Sequence, residues 1–128
     1  MALNKSPLRG WRFALLLAAS LCSASVAGAQ TRTGDVAGRY AILRADNKDT
    51  GCMLTLETRP AAGGFKAQLA PACRDNGIVI FDPVAWNMER GRLALTARKG
   101  HKTHFDRQPN GIWRRDAKEG KELGLRPL

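Results

Sequence analysis

From Gly38 onward, turn-forming residues interrupt the chain about every 8–12 residues, an interval that permits short strands and little else. Pro60-Ala61-Ala62-Gly63-Gly64, Asp82-Pro83, Glu89-Arg90-Gly91, Lys99-Gly100, Pro109-Asn110-Gly111 and Glu119-Gly120 are the clearest breaks. Residues 39–43, 52–57, 65–69, 78–81, 85–88, 92–96, 102–106, 112–114 and 123–126 lie between such signals. Several alternate apolar with polar. Cys52, Leu54 and Leu56 share one face of a strand, while Met53, Thr55 and Glu57 share the other. Residues 78–81, Ile-Val-Ile-Phe, read as a brief apolar strand stopped by Asp82-Pro83. No stretch with helical apolar spacing exceeds about two turns. The fold class is therefore all-β. About eight antiparallel strands in so short a chain close most economically as an up-and-down barrel, which leaves no exposed sheet edge. A two-sheet sandwich is the other reading. The inward faces offer Leu54, Leu56, Leu69, Trp86, Leu93, Leu95 and Phe105 as core.

The barrel does not begin at the N-terminus. Lys5, Arg9 and Arg12 precede an apolar stretch of about ten residues from Phe13, and the first acid is Asp35. That length suits a secretory signal and falls short of the ~20 residues a membrane span needs. Ala27-Gly28-Ala29 satisfies the small-residue cleavage pattern, so residues 1–29 are expected to be removed and the mature chain to start at Gln30. Cleavage after Ala27 is a second acceptable site and leaves Gly28 first. Lipid attachment at Cys22 would anchor the protein to a membrane, but Leu21 precedes it where that signal wants a small residue. The expected destination is the periplasm.

Removing residues 1–29 leaves 99 residues, enough for one domain, with 18 Lys+Arg against 11 Asp+Glu, a net +7 at pH 7. The charges are scattered and form no block, which points to a solvated basic surface rather than a nucleic-acid site. Cys22 leaves with the signal. Cys52 and Cys73, 21 positions apart, remain as a pair in an oxidising compartment, where a bridge would contribute about 3 kcal/mol by constraining the unfolded chain. A Cys-x20-Cys metal pair, the other reading, lacks the close-spaced partners of zinc sites.

Catalytic machinery is hard to assemble from what remains. Ser6, Ser20, Ser23 and Ser25 all fall in the signal, so a mature chain with oxidised cysteines has no Ser or Cys nucleophile. His101, His104 and Asp106 have metal-ligand types, yet positions 101 and 104 of one strand point to opposite faces. Asp46, Asp49, Glu119 and Glu122 sit near turns among lysines, where solvated structural roles fit better than acid–base work. No glycine-rich phosphate loop is present. The reading is a non-enzyme without metal or cofactor.

Asp35-Val36-Ala37-Gly38-Arg39-Tyr40 opens the domain, followed by Gly51-Cys52-Met53-Leu54-Thr55-Leu56. Ala72-Cys73, Pro83-Val84-Ala85-Trp86, Gly91-Arg92-Leu93-Ala94-Leu95 and Leu123-Gly124-Leu125-Arg126 complete the pattern. This order resembles the Inh-type protease inhibitors, small periplasmic proteins that bind serralysin-type zinc metalloproteases. The resemblance runs from about Asp35 to Leu128. It implies a lipocalin-like barrel over residues 38–128, bridged by Cys52–Cys73 near its start and acting as a monomer. It further implies that the N-terminal segment, residues 30–37, enters the protease cleft, with the terminal amine reaching the catalytic zinc. Gln30, Thr31, Arg32, Thr33 and Gly34 hold that position here. The segment is shorter and more polar than is usual in the family, and an N-terminal Gln30 can cyclise to a lactam that cannot ligate metal. A lipoprotein branch of the family inhibits proteases more broadly. Two other functions fit the same residues: a small-ligand carrier of the cell envelope using the barrel interior, and an envelope protein binding anionic lipid or polysaccharide through Arg90, Arg92, Arg98, Lys99 and Lys102.

Overall fold

The computed structural model describes residues 32–128, so the expected signal, both cleavage sites, Gln30 and Thr31 lie outside the described residues. Eight strands follow in chain order: β1 (Gly38–Arg44), β2 (Lys48–Ala61), β3 (Gly64–Leu69), β4 (Pro83–Glu89), β5 (Arg92–Ala97), β6 (Lys102–Arg107), β7 (Trp113–Arg115) and β8 (Gly124–Pro127). Each pairs antiparallel with the next, and β1 also pairs with β8, closing the barrel. The expected barrel forms, and the sandwich does not.

Period-two alternation fills the interior. Leu54, Leu56, Trp86, Leu93, Leu95 and Phe105 are all at most 1% exposed, whereas Leu69 is only half-buried at the edge of this core. Trp86 packs against Phe65 with ring centroids 5.4 Å apart. Burying an indole leaves an N–H to satisfy. The register of β2 against β3 slips between Leu56 and Pro60, and inside that slip the carbonyl of Glu57 accepts the Trp86 Nε1–H at 2.9 Å.

The expected strand at residues 78–81 is instead part of a helix, α2 (Asn76–Phe81). Its β-branched residues favour a strand, but the ends decide the matter. Asp75 caps the N-terminus by accepting from the Ile78 N–H at 3.0 Å. Asp82 closes the C-terminus in the left-handed conformation, its N–H on the Ile78 carbonyl. Arg44 grips Asp75 in a two-pronged ion pair, Nε to Oδ2 at 2.8 Å and Nη2 to Oδ1 at 2.5 Å. Those hydrogen bonds pull the Asp75 carboxyl down to about 2. Only Ile78 of the helix is buried, leaving Val79 and Ile80 exposed.

Alternate strand directions sort the connections between two ends. At one lie the N-terminal segment, the β2–β3, β4–β5 and β6–β7 turns, and the C-terminus. The far end carries the 3-10 turn Ala45–Asn47, the β3–β4 crossover with α2, the β5–β6 turn and the β7–β8 loop. The disulfide joins Cys52 of β2 to Cys73 of that crossover, with Cα atoms 4.5 Å apart.

A second tie fastens the β7–β8 loop. Glu119 reaches over β6, accepting the His104 backbone N–H at 2.5 Å and facing the ring Nδ1 at 2.8 Å. The other ring nitrogen meets Glu89 at 3.0 Å, and Glu89 also accepts from Lys102 at 2.6 Å. With a carboxylate on each nitrogen, the imidazole is held as a double donor, and its pKa rises through the hydrogen bonds to Glu89 and then Glu119. Hydrogen bonds from Lys102 and His104 pull Glu89 down to about 2. Burial pushes Glu119 up, but its bonds from the His104 backbone and ring hold it below the usual value.

Two outcomes follow from these ties. Replacing Cys52 and Cys73 together by Ala removes about 3 kcal/mol and lowers the melting temperature by roughly 10–20 °C in calorimetry. His104 stabilises in its charged form, so its contribution is complete below its ordinary value of 6.5 and is lost as pH rises through the raised folded value. Glu89 contributes above its ordinary value of 4.5 and loses that contribution as pH falls toward 2. Raising pH from about 6 to about 9 therefore lowers the melting temperature by roughly 2–5 °C more in the wild type than in His104→Gln.

Candidate functional site

At the N-terminal end, residues Thr33–Val36 form a single helical turn, α1. Its backbone bonds run from the Asp35 N–H to the Arg32 carbonyl at 2.9 Å and from the Ala37 N–H to the Thr33 carbonyl at 3.2 Å. Val36, 1% exposed, inserts into the main core, and the Tyr40 hydroxyl donates to its carbonyl. Burial pushes the Tyr40 phenol up, keeping it a donor. Val36 thus plugs the mouth of the barrel and fixes where the chain leaves it.

Beside this anchor lies a cleft of about 190 Å³ whose walls include Asp35, Arg39, Tyr40, Arg107, Trp113 and Leu128. The Arg107 guanidinium stands 6.0 Å from the centre of the Trp113 ring, within reach of a cation–π contact. Arg39 and Arg107 give the cleft a basic rim.

Of the segment expected to engage a protease, Gln30 and Thr31 are outside the described residues, and Arg32 is exposed just ahead of α1. Thr33 and Gly34 belong to the helical turn rather than to an extended strand. In a helix two residues advance about 3 Å, against about 7 Å extended, so the turn shortens the segment's reach. The sequence hint of this anchor is the apolar pair Val36-Ala37 directly before β1, behind the polar Arg32, Thr33 and Asp35.

His101, His104 and Asp106 do not converge. His104 lies between Glu89 and Glu119, Asp106 pairs with Arg92 at 2.8 Å, and His101 stands in the turn before β6. No group of three potential metal ligands occurs among the described residues. Of the basic residues considered for an anionic surface, Arg92 also holds Asp116, Arg98 holds Asp82, and Lys102 holds Glu89. These pairs neutralise much of that patch. Trp86, Phe105 and the leucines around them occupy the barrel axis, where a carrier would hold its ligand.

The family model described as "Protease inhibitor Inh" matches residues 30–126, three-quarters of the chain and the whole run from the expected mature N-terminus into β8. No curated protein and no solved structure matches the chain significantly. With that coverage, and with a disulfide-bridged eight-stranded barrel beneath it, the chain belongs to the Inh family of protease inhibitors.

Proposed function

We propose that the protein is exported to the periplasm and inhibits a secreted zinc metalloprotease of the serralysin type by inserting its N-terminal segment into the protease cleft. Family membership carries the inhibitor function, and the burial of Val36 supports the mechanism. An inhibitory tail works best when its root is rigid, because each residue ordered on binding costs about 1–2 kcal/mol in backbone entropy. Val36 and the Tyr40 bond to its carbonyl place that root at the barrel mouth. The residues ahead of α1 are then free to lie extended along the protease and exchange main-chain hydrogen bonds with it. Arg39 and Arg107 flank the exit and suit an acidic rim on the partner.

The terminal amine is the group that meets the protease zinc in this reading. Its ordinary pKa near 8 makes the neutral, ligating form accessible. Cleavage after Ala29 leaves only Gln30, Thr31 and Arg32 before α1, a span of about 10 Å. Cleavage after Ala27 adds Gly28 and Ala29, extends the span to about 17 Å, and presents a glycine amine that cannot form a lactam. The form beginning at Gly28 is therefore the better inhibitor on both grounds.

Titrating the disulfide-bonded periplasmic protein, its N-terminus defined by mass spectrometry, against a serralysin-type protease tests this. Stoichiometric inhibition is expected. Removing residues through Arg32, which spares α1 and Val36, should weaken it by about 100-fold or more, as loss of a zinc ligand and several main-chain bonds requires. Unchanged inhibition by the truncated form would discard the tail mechanism, and no inhibition by the intact form would discard the metalloprotease target.

A further inference from the structure

At the far mouth of the barrel an arginine faces inward. Arg115 ends β7 opposite Phe105, and residues paired across antiparallel strands share a face, so it projects from the same side as the buried Phe105 and Trp113. Its Nε donates to the hydroxyl of the buried Thr103 at 2.9 Å, and its Nη1 reaches the Lys121 carbonyl at 3.4 Å. No described carboxylate forms an ion pair with it. Glu119, whose charge attracts Arg115, is itself engaged by His104 and accepts from the Thr103 hydroxyl at 3.2 Å. Burial, and then repulsion from Arg44, hold the Arg115 pKa below the ordinary arginine value against the smaller attraction of Glu119. Arg44, in contrast, is satisfied by Asp75.

The space beside this guanidinium is open. A cleft of about 490 Å³ runs past Arg115, walled by Ile80, Phe81, Ala97, Lys99 and Lys102. That volume lies within the range of small-molecule sites. A second recess, of about 110 Å³, lies against Arg115 together with Ile78, Phe81 and Leu123. Ile80 is 76% exposed, the most exposed large apolar side chain among the described residues. An exposed apolar wall thus borders a partly desolvated cation that lacks an anionic partner.

We propose that this far-end cleft binds a small amphipathic monocarboxylate, its carboxylate on Arg115 and its apolar body against Ile80, Phe81 and Ala97. The planar fork of a guanidinium matches a carboxylate. Lys99, for which no ion pair occurs among the described residues, adds positive potential at the same cleft. Glu119 also lines the cleft, and its negative charge disfavours a dianion such as phosphate. The site lies at the opposite end of β1 from Val36, about 20 Å away, so it neither rests on the inhibitory segment nor competes with it.

The test is an amide-resonance titration of the isotopically labelled, disulfide-bonded protein with 4-phenylbutyrate, its uncharged amide and inorganic phosphate. Saturable shifts by the acid are expected at Gly77, Ile80, Phe81, Ala97 and Thr103, with the amide and phosphate each weaker by about tenfold or more. Arg115→Lys should weaken the acid by about tenfold, since it keeps the charge and loses the fork. Ile80→Ser alters an exposed side chain without touching the core, and it should weaken the acid severalfold while leaving the melting temperature unchanged; it stands alone if Arg115→Lys fails to fold. Equal binding of acid and amide, preferred binding of phosphate, shifts confined to the Arg39–Arg107 cleft, or no saturation by roughly 10 mM acid would each overturn the proposal.

Discussion

β1 bonds along both of its edges, to β2 on one side and to β8 on the other, and the rest of the molecule depends on that closure. Ile42 stands opposite Leu125 and Leu43 opposite Gly124, so the first and last strands of the chain meet. Gly124 lies where an added Cβ would come within 3.4 Å of Ile112 and 3.6 Å of Leu43, which is as close as neighbouring side chains pack without yielding. Gly64 is more tightly constrained. A Cβ there would fall 2.4 Å from the Trp86 carbonyl, at a φ of +143° that side-chain-bearing residues rarely adopt. Closure gives the alternating apolar residues an interior to occupy and leaves exposed backbone only at the two mouths. The mouths are therefore where elements other than strands appear: α1 with Val36 at one, α2 with Ile78 at the other.

Two seams of the barrel, β3–β4 and β7–β8, share only two paired positions each, and the cross-links sit at the first of them. β3 and β4 share two paired positions, Phe65 with Trp86 and Lys66 with Ala85, whereas β4 and β5 share six. The crossover between β3 and β4 is also the longest connection among the described residues. Left to itself, such a segment would open before the rest. The Cys52–Cys73 bridge ties it to β2, and the Arg44–Asp75 pair, two residues on, ties it to β1 at the N-cap of α2. Covalent and ionic ties thus gather on the long crossover that joins the two strands of this short seam.

Strand positions were legible because burial on one face imposes a period of two that neighbouring side chains display directly. Leu54 and Leu56, or Leu93 and Leu95, announce their face without reference to distant residues. α2 was not legible. Its residues, Ile78, Val79, Ile80 and Phe81, carry strand propensity, and the groups that make them helical are a cap at Asp75 and an arginine 31 positions earlier. The same limit applies to charge. Arg92, Arg98 and Lys102 read as a basic patch until the fold brings Asp106, Asp82 and Glu89 against them. Arg115 reads like any of its neighbours, Arg114 among them. Yet Arg114 finds Glu122 on the outer surface, while Arg115, one residue on and on the opposite face, finds only a hydroxyl and a carbonyl. The N-terminal segment falls between these cases: its polar character was visible, but the turn that takes up Thr33 and Gly34 follows from Val36 reaching the core.

Seven of the described Lys and Arg side chains are held in ion pairs, which narrows where electrostatics can act on a partner. Among the cations that no described ion pair holds, Arg39 and Arg107 lie at the cleft beside the N-terminal root, and Lys99 and Arg115 lie at the far-end cleft. They differ in the contacts they permit. At the root Arg39 and Arg107 are exposed beside α1, so a protein surface can approach them from outside, where long-range attraction speeds encounter more than it tightens the complex. At the far mouth Arg115 is half-buried and lines two recesses that α2 also walls, a geometry suited to a small molecule. A closed barrel with a filled axis keeps these two surfaces at fixed separation.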